Sequence, residues 1–376
     1  MKPKWAVLVY MGADDPDDRE LVLSAFKDIK EIRDAGSSPA VRIAVQVDLQ
    51  LFPPVRFAVE ADGSVSGIER RRESSAGQAK TLTAFLKWAE KKFDAERYLL
   101  VLWGHGVGVG FQLTLPASLA DVVFDADDGL EVRELAQVLS GFKKRRGRAL
   151  DLLGFDACYM SGIEVGYELR NLVDVLVGGQ GSLPLAGWPY TPILRHLKSR
   201  PRQSTRSLAT AITREVVKSF KTADNVTQTA LAPKGSADNV AKAFQALVTA
   251  YLKAPPRGSV RGAIGRALRT SSFFEARQFI DLIDLCKRVR KTTRDPAVGV
   301  AAANVIQALE RSAPHLIVSH HRRGRRVKDL NGASIYLKHV RASKQNGEED
   351  VDVKIGRYRR LEFVKFTGWQ RLVDTL

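Results

Sequence analysis

Cysteine is scarce in this chain: Cys158 and Cys286 are the only two among 376 residues. Two thiols cannot staple a small disulfide scaffold or form a structural zinc site, so the fold must rest on its own core, and a reducing compartment fits best. Long apolar runs are missing as well. No segment approaches the roughly 18 consecutive apolar residues of a membrane span. The first apolar run, Trp5-Ala-Val-Leu-Val-Tyr10, is too short for a secretory leader before the acidic cluster Asp14, Asp15, Asp17 and Asp18 begins. The expectation is a soluble, cytoplasmic chain with no membrane partner. Acidic residues are outnumbered, 42 Asp and Glu against 59 Lys and Arg, for a formal charge of +17. Such a surface attracts polyanions or acidic proteins. Zinc-finger spacings and RNP-type aromatic patterns are absent, however, which argues against a nucleic-acid partner.

What is present is enough apolar residue, 44% of the chain, to bury a large core. Short β-rich apolar runs alternate with amphipathic helical patterns over the first 180 residues, the signature of parallel strands covered by helices. Strands are expected at Trp5 to Tyr10, Val41 to Val47, Tyr98 to Trp103, Leu150 to Phe155 and Val173 to Gly178. Helices are expected at about Glu20 to Ala35, with Val22, Phe26, Ile29 and Ile32 as the apolar face, at Ala79 to Lys92 and at Leu130 to Phe142. Asp62-Gly63-Ser64 reads as a hairpin turn. The sheet is expected to close near residue 180. The organisation read from this is a catalytic core over residues 1–200 and a helical and partly β portion over residues 201–376 packed on it.

Ligands of such sheets bind beyond the carboxyl ends of the strands, so the loops after the third and fourth strands are where chemistry is sought. After Trp103 comes Gly104-His105-Gly106-Val107-Gly108, a histidine among glycines. After Phe155 comes Asp156-Ala157-Cys158. A thiol is already partly thiolate at neutral pH, and an imidazole beside it raises that fraction and later protonates a leaving amine. The backbone N–H groups of Gly106 and Cys158 are candidate oxyanion donors. An arbitrary Cys and His would be a small buried apolar residue and a satisfied loop residue, but here each closes a strand and glycines flank the His, which packing alone does not require.

These segments resemble a known family. Tyr98-Leu-Leu-Val-Leu-Trp-Gly-His-Gly-Val-Gly108 is similar to the histidine block of the clostripain family of cysteine peptidases, and Gly154-Phe-Asp-Ala-Cys-Tyr-Met-Ser-Gly-Ile-Glu-Val-Gly-Tyr-Glu-Leu169 to its cysteine block. Trp5 to Met11, Gly187-Trp188-Pro189-Tyr190, Asn331-Gly-Ala-Ser-Ile-Tyr336 and Phe363 to Trp369 resemble further landmarks in the same order, so the likeness spans nearly the whole chain. The resemblance implies a caspase-like α/β fold, a mostly parallel sheet flanked by helices. It also implies His105 as catalytic acid and base, Cys158 as nucleophile, and protein or peptide substrates cut after Arg or Lys. A basic P1 side chain needs a carboxylate in its pocket. Asp156 matches that position, its alternative role being to accept hydrogen bonds from loop N–H groups. Trp188 is a second candidate pocket residue, with plain packing as its alternative. Relatives often carry an acidic residue before the Gly-Trp pair, whereas Leu185-Ala186 stands here, leaving one pocket carboxylate instead of two.

The basic run Lys143, Lys144, Arg145, Arg146 and Arg148 lies between the two catalytic segments and is expected on an exposed loop, because so much charge is not buried unpaired. By the resemblance it is a candidate processing loop of a zymogen, cut by the enzyme itself or by an activating protease. No cofactor is expected. Calcium would have only Asp14, Asp15, Asp17 and Asp18, which lack the EF-hand pattern and equally suit a helix N-terminus. The rival readings are a catalytically silent scaffold and a polyanion-binding basic protein.

Overall fold

A computed structural model describes residues 2–14, 19–49, 52–70, 75–106, 110–112, 129–311, 313–337 and 355–376. Five parallel strands form its centre: β1 (Trp5–Ala13), β2 (Val41–Leu49), β5 (Arg97–Trp103), β9 (Leu150–Asp156) and β10 (Val173–Gly178). Every residue of β1 and β9 is buried, which explains why these segments read as continuous apolar runs and not as alternating ones. Antiparallel strands extend both edges: β3 (Phe52–Val59) and β4 (Val65–Arg70) beyond β2, and β11 (Val226–Leu231) and β13 (Ile317–Arg323) beyond β10. The nine-stranded order is β13-β11-β10-β9-β5-β1-β2-β3-β4. The sheet therefore does not close near residue 180, because two strands from the second half of the chain complete one edge. Two small sheets join β6 (His105–Gly106), β7 (Gly110–Gln112) and β8 (Gly129–Glu131), and β12 (Phe279–Asp281) with β14 (Ser334–Tyr336).

Helices cover both faces. One face carries α1 (Arg19–Ala35), α5 (Tyr190–Ser199) and α6 (Thr205–Ser219) over a core that includes Val7, Val9, Val101 and Trp103. The other carries α2 (Ala79–Phe93), α3 (Val132–Arg146), α4 (Ile163–Glu168) and α7 (Ser236–Lys253). To these are added α8 (Ser259–Thr270), α9 (Leu282–Thr292) and α10 (Pro296–Glu310), over a core that includes Leu8, Leu100, Leu153 and Phe155. The start of α10 is encoded locally: Asp295 caps it by accepting from the N–H groups of Ala297 and Val298, and Pro296 opens it, where a missing N–H costs nothing.

Two expectations need correction. The buried stripe of α1 is Leu21, Ala25, Asp28, Ile32 and Ala35, not the face through Phe26, which is 54% exposed. Both stripes have helical spacing, and the one used carries two alanines that let the helix sit close to the sheet. The basic run is not a loop either. Lys143, Lys144, Arg145 and Arg146 are the last turn of α3, where cations favour the helix C-terminus, and Gly147 (φ +70°) closes it. Four of the five side chains have partners: Arg145 donates to both oxygens of Glu90 (2.8 and 2.6 Å), Arg146 to the carbonyl of Ala95 (2.7 Å), Lys143 to that of Asn171 (2.9 Å), and Arg148 to Asp151.

Candidate active site

The strand order reverses between β1 and β5, and the two candidate catalytic loops leave the carboxyl ends of β5 and its neighbour β9 at that switch. The register pairs Trp103 with Asp156, so the residues that follow, Gly104-His105 and Ala157-Cys158, emerge side by side. Gly104 (φ +146°) turns the chain out of β5 while its N–H donates to the Asp156 carbonyl at 3.3 Å. The loops then touch at Gly106. A Cβ there would lie 2.2 Å from the Cys158 carbonyl oxygen and 2.9 Å from the Cys158 nitrogen. Glycine after the histidine thus brings the two backbones into direct contact.

Cys158 is half-buried; the Leu183 N–H donates to its Sγ at 3.2 Å, and the Sγ lies 3.9 Å from the Leu183 carbonyl oxygen. The next residue is strained: Tyr159 holds φ +58°. A bulky residue in that region costs on the order of 1–3 kcal/mol and persists only where its surroundings fix it. Here the Tyr159 N–H donates to the Gly181 carbonyl (3.0 Å), its hydroxyl pairs with that of Ser182 (3.0 Å), and its ring stacks on Phe279 with centroids 5.2 Å apart. The segment of residues 179–183 that follows β10 and receives these contacts is itself tied down. Gln180 donates to buried Asp281 (2.9 Å) and accepts from Gly332 N–H (2.6 Å), while Asn331 donates to the same Asp281 from its backbone (2.6 Å) and side chain (3.0 Å). Ser334 N–H donates to the Ser161 carbonyl (3.2 Å) and Tyr336 N–H to Glu164 (2.9 Å). The block Asn331 to Tyr336 is therefore the clamp that holds the cysteine loop in its strained form.

A cleft opens above the strand ends. Its lining includes His105 and Cys158, half-buried, together with Trp103, Asp156, Leu183 and Gly187. The carboxylate of Asp156 is buried and accepts from the Trp188 N–H, 3.1 Å from each oxygen, and from the Tyr190 hydroxyl at 2.9 Å. It thus satisfies loop donors and faces the cleft at once. Trp188 matches the packing alternative: its ring lies against Gly154, where a Cβ would meet Cη2 at 2.5 Å, and it is absent from the cleft lining. Its contribution to the site is the N–H that holds Asp156. The basic run of α3 does not line the cleft.

A second carboxylate was not anticipated from the sequence. Asp28 of α1 is fully buried, accepts from Trp103 Nε1 at 2.8 Å, and lies beside Asp156 under Gly187. Burial, reinforced by repulsion from Asp156, pushes the Asp28 carboxyl up to about 8. Burial raises Asp156 to about 7, against the lowering effect of its Trp188 and Tyr190 donors. The signal that would have found Asp28 is the alternative stripe of α1, in which position 28 falls between Ala25 and Ile32. Cys286, by contrast, is sealed in the core on α9, where burial pushes its thiol up out of the reactive range. Among the described residues no three His, Cys, Asp or Glu side chains gather in a way that could hold a metal; Asp15, Asp17 and Asp18 lie outside them.

Sequence comparison matches the profile of the clostripain family to residues 9–343. Over 136 residues the chain is 24% identical to clostripain of Hathewaya histolytica, a stretch covering 34% of this chain and only 26% of that protein's length. An inactive zymogen C11 protease from Parabacteroides distasonis superposes with a TM-score of 0.68 at 19% identity, over 98% of this chain and 99% of that one. A secreted C11 cysteine protease from Bacteroides thetaiotaomicron, solved with an irreversible peptide inhibitor, gives 0.66 at 18% identity over 98% and 99%. At such identities the likeness speaks to the fold, a largely parallel sheet flanked by helices. A relative described as secreted lends no support to the cytoplasmic expectation.

Proposed function

The chain belongs to the clostripain family, and from that premise we propose that it is a cysteine endopeptidase cutting after Arg or Lys. The observation that carries this reading is the convergence of His105, Cys158 and the carboxylate of Asp156 on one cleft. The Cys158 sulfur attacks the scissile carbonyl carbon, its proton passing to His105. Backbone N–H groups of the touching loops at Gly106 and Cys158 stabilise the oxyanion. His105 returns the proton to the leaving amine as the C–N bond breaks, and a thioester to Cys158 remains. Water, deprotonated by His105, then attacks the thioester carbonyl, releasing the carboxylate product and the thiol. Asp156 faces the P1 cation in the cleft. The chain is further read as a zymogen processed at Lys143–Arg148. Because Lys143 to Arg146 form the last turn of α3, cleavage there requires that turn to open.

The test is turnover of fluorogenic peptides varied at P1 by wild type, Cys158→Ala and His105→Ala, with gels of the same samples over time. Turnover confined to Arg and Lys peptides and abolished in both variants is expected, with Cys158→Ala remaining a single band. Equal activity in wild type and Cys158→Ala would end the peptidase reading, and cleavage after neutral residues would end the Arg/Lys reading alone.

A further inference from the structure

The loop before Gly187 offers no acidic side chain, since Leu185 and Ala186 stand there. The fold nevertheless brings a second carboxylate to the same place from a different element. A Cβ placed on Gly187 would lie 3.1 Å from Asp28 Oδ2 and 3.2 and 3.3 Å from the two Asp156 oxygens. Asp156 and Gly187 both line the cleft, and Asp28 adjoins the two of them. Asp156 has its oxygens engaged by Trp188 and Tyr190. Asp28 does not: Oδ2 takes the Trp103 indole N–H, whereas Oδ1 is buried and receives no hydrogen bond. A buried carboxylate oxygen with no donor is costly to a folded protein and calls for an explanation.

We propose that Asp28 is a specificity-determining residue, the second anion of a two-carboxylate receptor in which Asp28 and Asp156 together take the P1 cation of the substrate. This rests on the peptidase reading above. At a pH between their two raised values, two carboxylates buried side by side hold about one proton between them when no cation is present. On binding, the P1 guanidinium or ammonium supplies the positive charge and the shared proton leaves to solvent, so cation binding and proton release are linked one to one. The charged and titratable groups around the pair are few. On α1, Lys27 Nζ stands 3.9 Å from Asp28 Oδ1 and 3.6 Å from Glu31 Oε1, half exposed, and also donates to the Ala186 carbonyl at 3.1 Å. From β5 comes neutral Trp103, from β9 Asp156, and from α5 Tyr190, whose hydroxyl burial keeps protonated. None of these is a buried cation that would already neutralise the pair.

The experiment uses the full chain carrying Cys158→Ala, so that product peptides bind without turnover, with and without Asp28→Asn. Asparagine keeps the acceptor for Trp103 and removes only the charge. Calorimetric titration with peptides ending in Arg, Lys or norleucine, in two buffers of different ionisation enthalpy at about pH 7.5, between the raised values of the two carboxyls, reads affinity and proton release together. The expected result is binding of the Arg and Lys peptides weakened at least tenfold by Asp28→Asn, norleucine binding unchanged, and release of about one proton that disappears in the variant. Should Asp28→Asn fail to fold, Asp28→Ser makes the same comparison. Undiminished Arg binding in a folded Asp28 variant overturns the proposal while leaving Asp156 as the P1 residue and the peptidase reading intact. Equal binding of Arg and norleucine peptides to the Cys158→Ala chain, or no binding of either, also overturns it. Whether wild type hydrolyses peptides at all is read separately from turnover, so the two failures are not confused.

Discussion

Gly106→Ala is the smallest change that bears on the catalytic geometry. Its backbone does not need glycine's freedom, since no positive φ is found there, so alanine acts through its added methyl alone. That methyl carbon would fall 2.2 Å from the Cys158 carbonyl oxygen, 2.9 Å from Ala157 Cβ and 2.9 Å from the Cys158 nitrogen. All three are rigid neighbours, two of them backbone, and carbon–oxygen contacts settle at about 3.3 Å or more. The histidine and cysteine loops must therefore part by about 1 Å. Reacting atoms need to be held within about 3–3.5 Å, and a displacement of 1 Å costs on the order of 100-fold in rate, or about 2.7 kcal/mol of transition-state stabilisation. The fold loses a comparable amount, about 1–3 kcal/mol from overpacking. The assay is kcat/KM on a fluorogenic Arg peptide beside a urea melt of the same preparation. A folded Gly106→Ala protein with wild-type kcat/KM would refute the inference that loop contact sets the distance between imidazole and thiol.

Two further outcomes follow from burial. The carboxyls of Asp28 and Asp156 are held above their ordinary value of 3.8, so the folded state binds more protons than the unfolded chain. Their contribution to stability is then full below about pH 4 and declines as pH rises towards about 8, by at most about 1.4 kcal/mol per pH unit for each extra proton held. Asp28→Asn should make the urea midpoint less sensitive to pH between 5 and 8 than in wild type, and a variant midpoint that falls as steeply would contradict the assignment. The thiols should separate as well. With Cys158 half-buried at the cleft and Cys286 fully enclosed, an aromatic disulfide reagent should titrate one equivalent in the native protein and two in denaturant, and a second fast equivalent would show Cys286 to be accessible.

Much of the fold was legible because the central strands are buried on both faces and announce themselves as apolar runs; β2, β5, β9 and β10 fall within a residue or two of where the sequence puts them. The ends of the sheet were harder. β13 contains His320, His321, Arg322 and Arg323 and has hardly a buried residue, so nothing in its composition marks it as the partner of β11. That pairing is long-range, and local patterning does not encode it. The His105 and Cys158 loops were findable because each follows such a run directly. The clamp behind Cys158 was not, since Gln180, Asp281 and Asn331 are polar residues far apart in the chain that acquire meaning only when the fold brings them together. The basic run was misread for an instructive reason: charge was taken as a sign of a loop, but carboxylates and carbonyls of neighbouring elements supply partners for the last turn of a helix.

The orientation of α1 carries the same lesson in a sharper form. A helix placed by apolar area alone would turn Leu23 and Phe26 inward, yet these are 67% and 54% exposed while Asp28 is fully buried. Exposing two large apolar side chains forgoes roughly 1.5–3 kcal/mol each, and burying a carboxylate with one oxygen lacking a hydrogen bond adds a further cost. Ala25 and Ala35 offer close packing in return, but close packing does not require an acid at position 28. Local preference and global structure disagree on this helix, and such disagreements concentrate at sites shaped by function. The disagreement lies directly beneath the cleft lined by His105, Asp156 and Cys158. The stability set aside on α1 is therefore expected to reappear as selectivity for a cation, and Asp28→Asn should gain stability at pH 8 where it loses affinity for Arg.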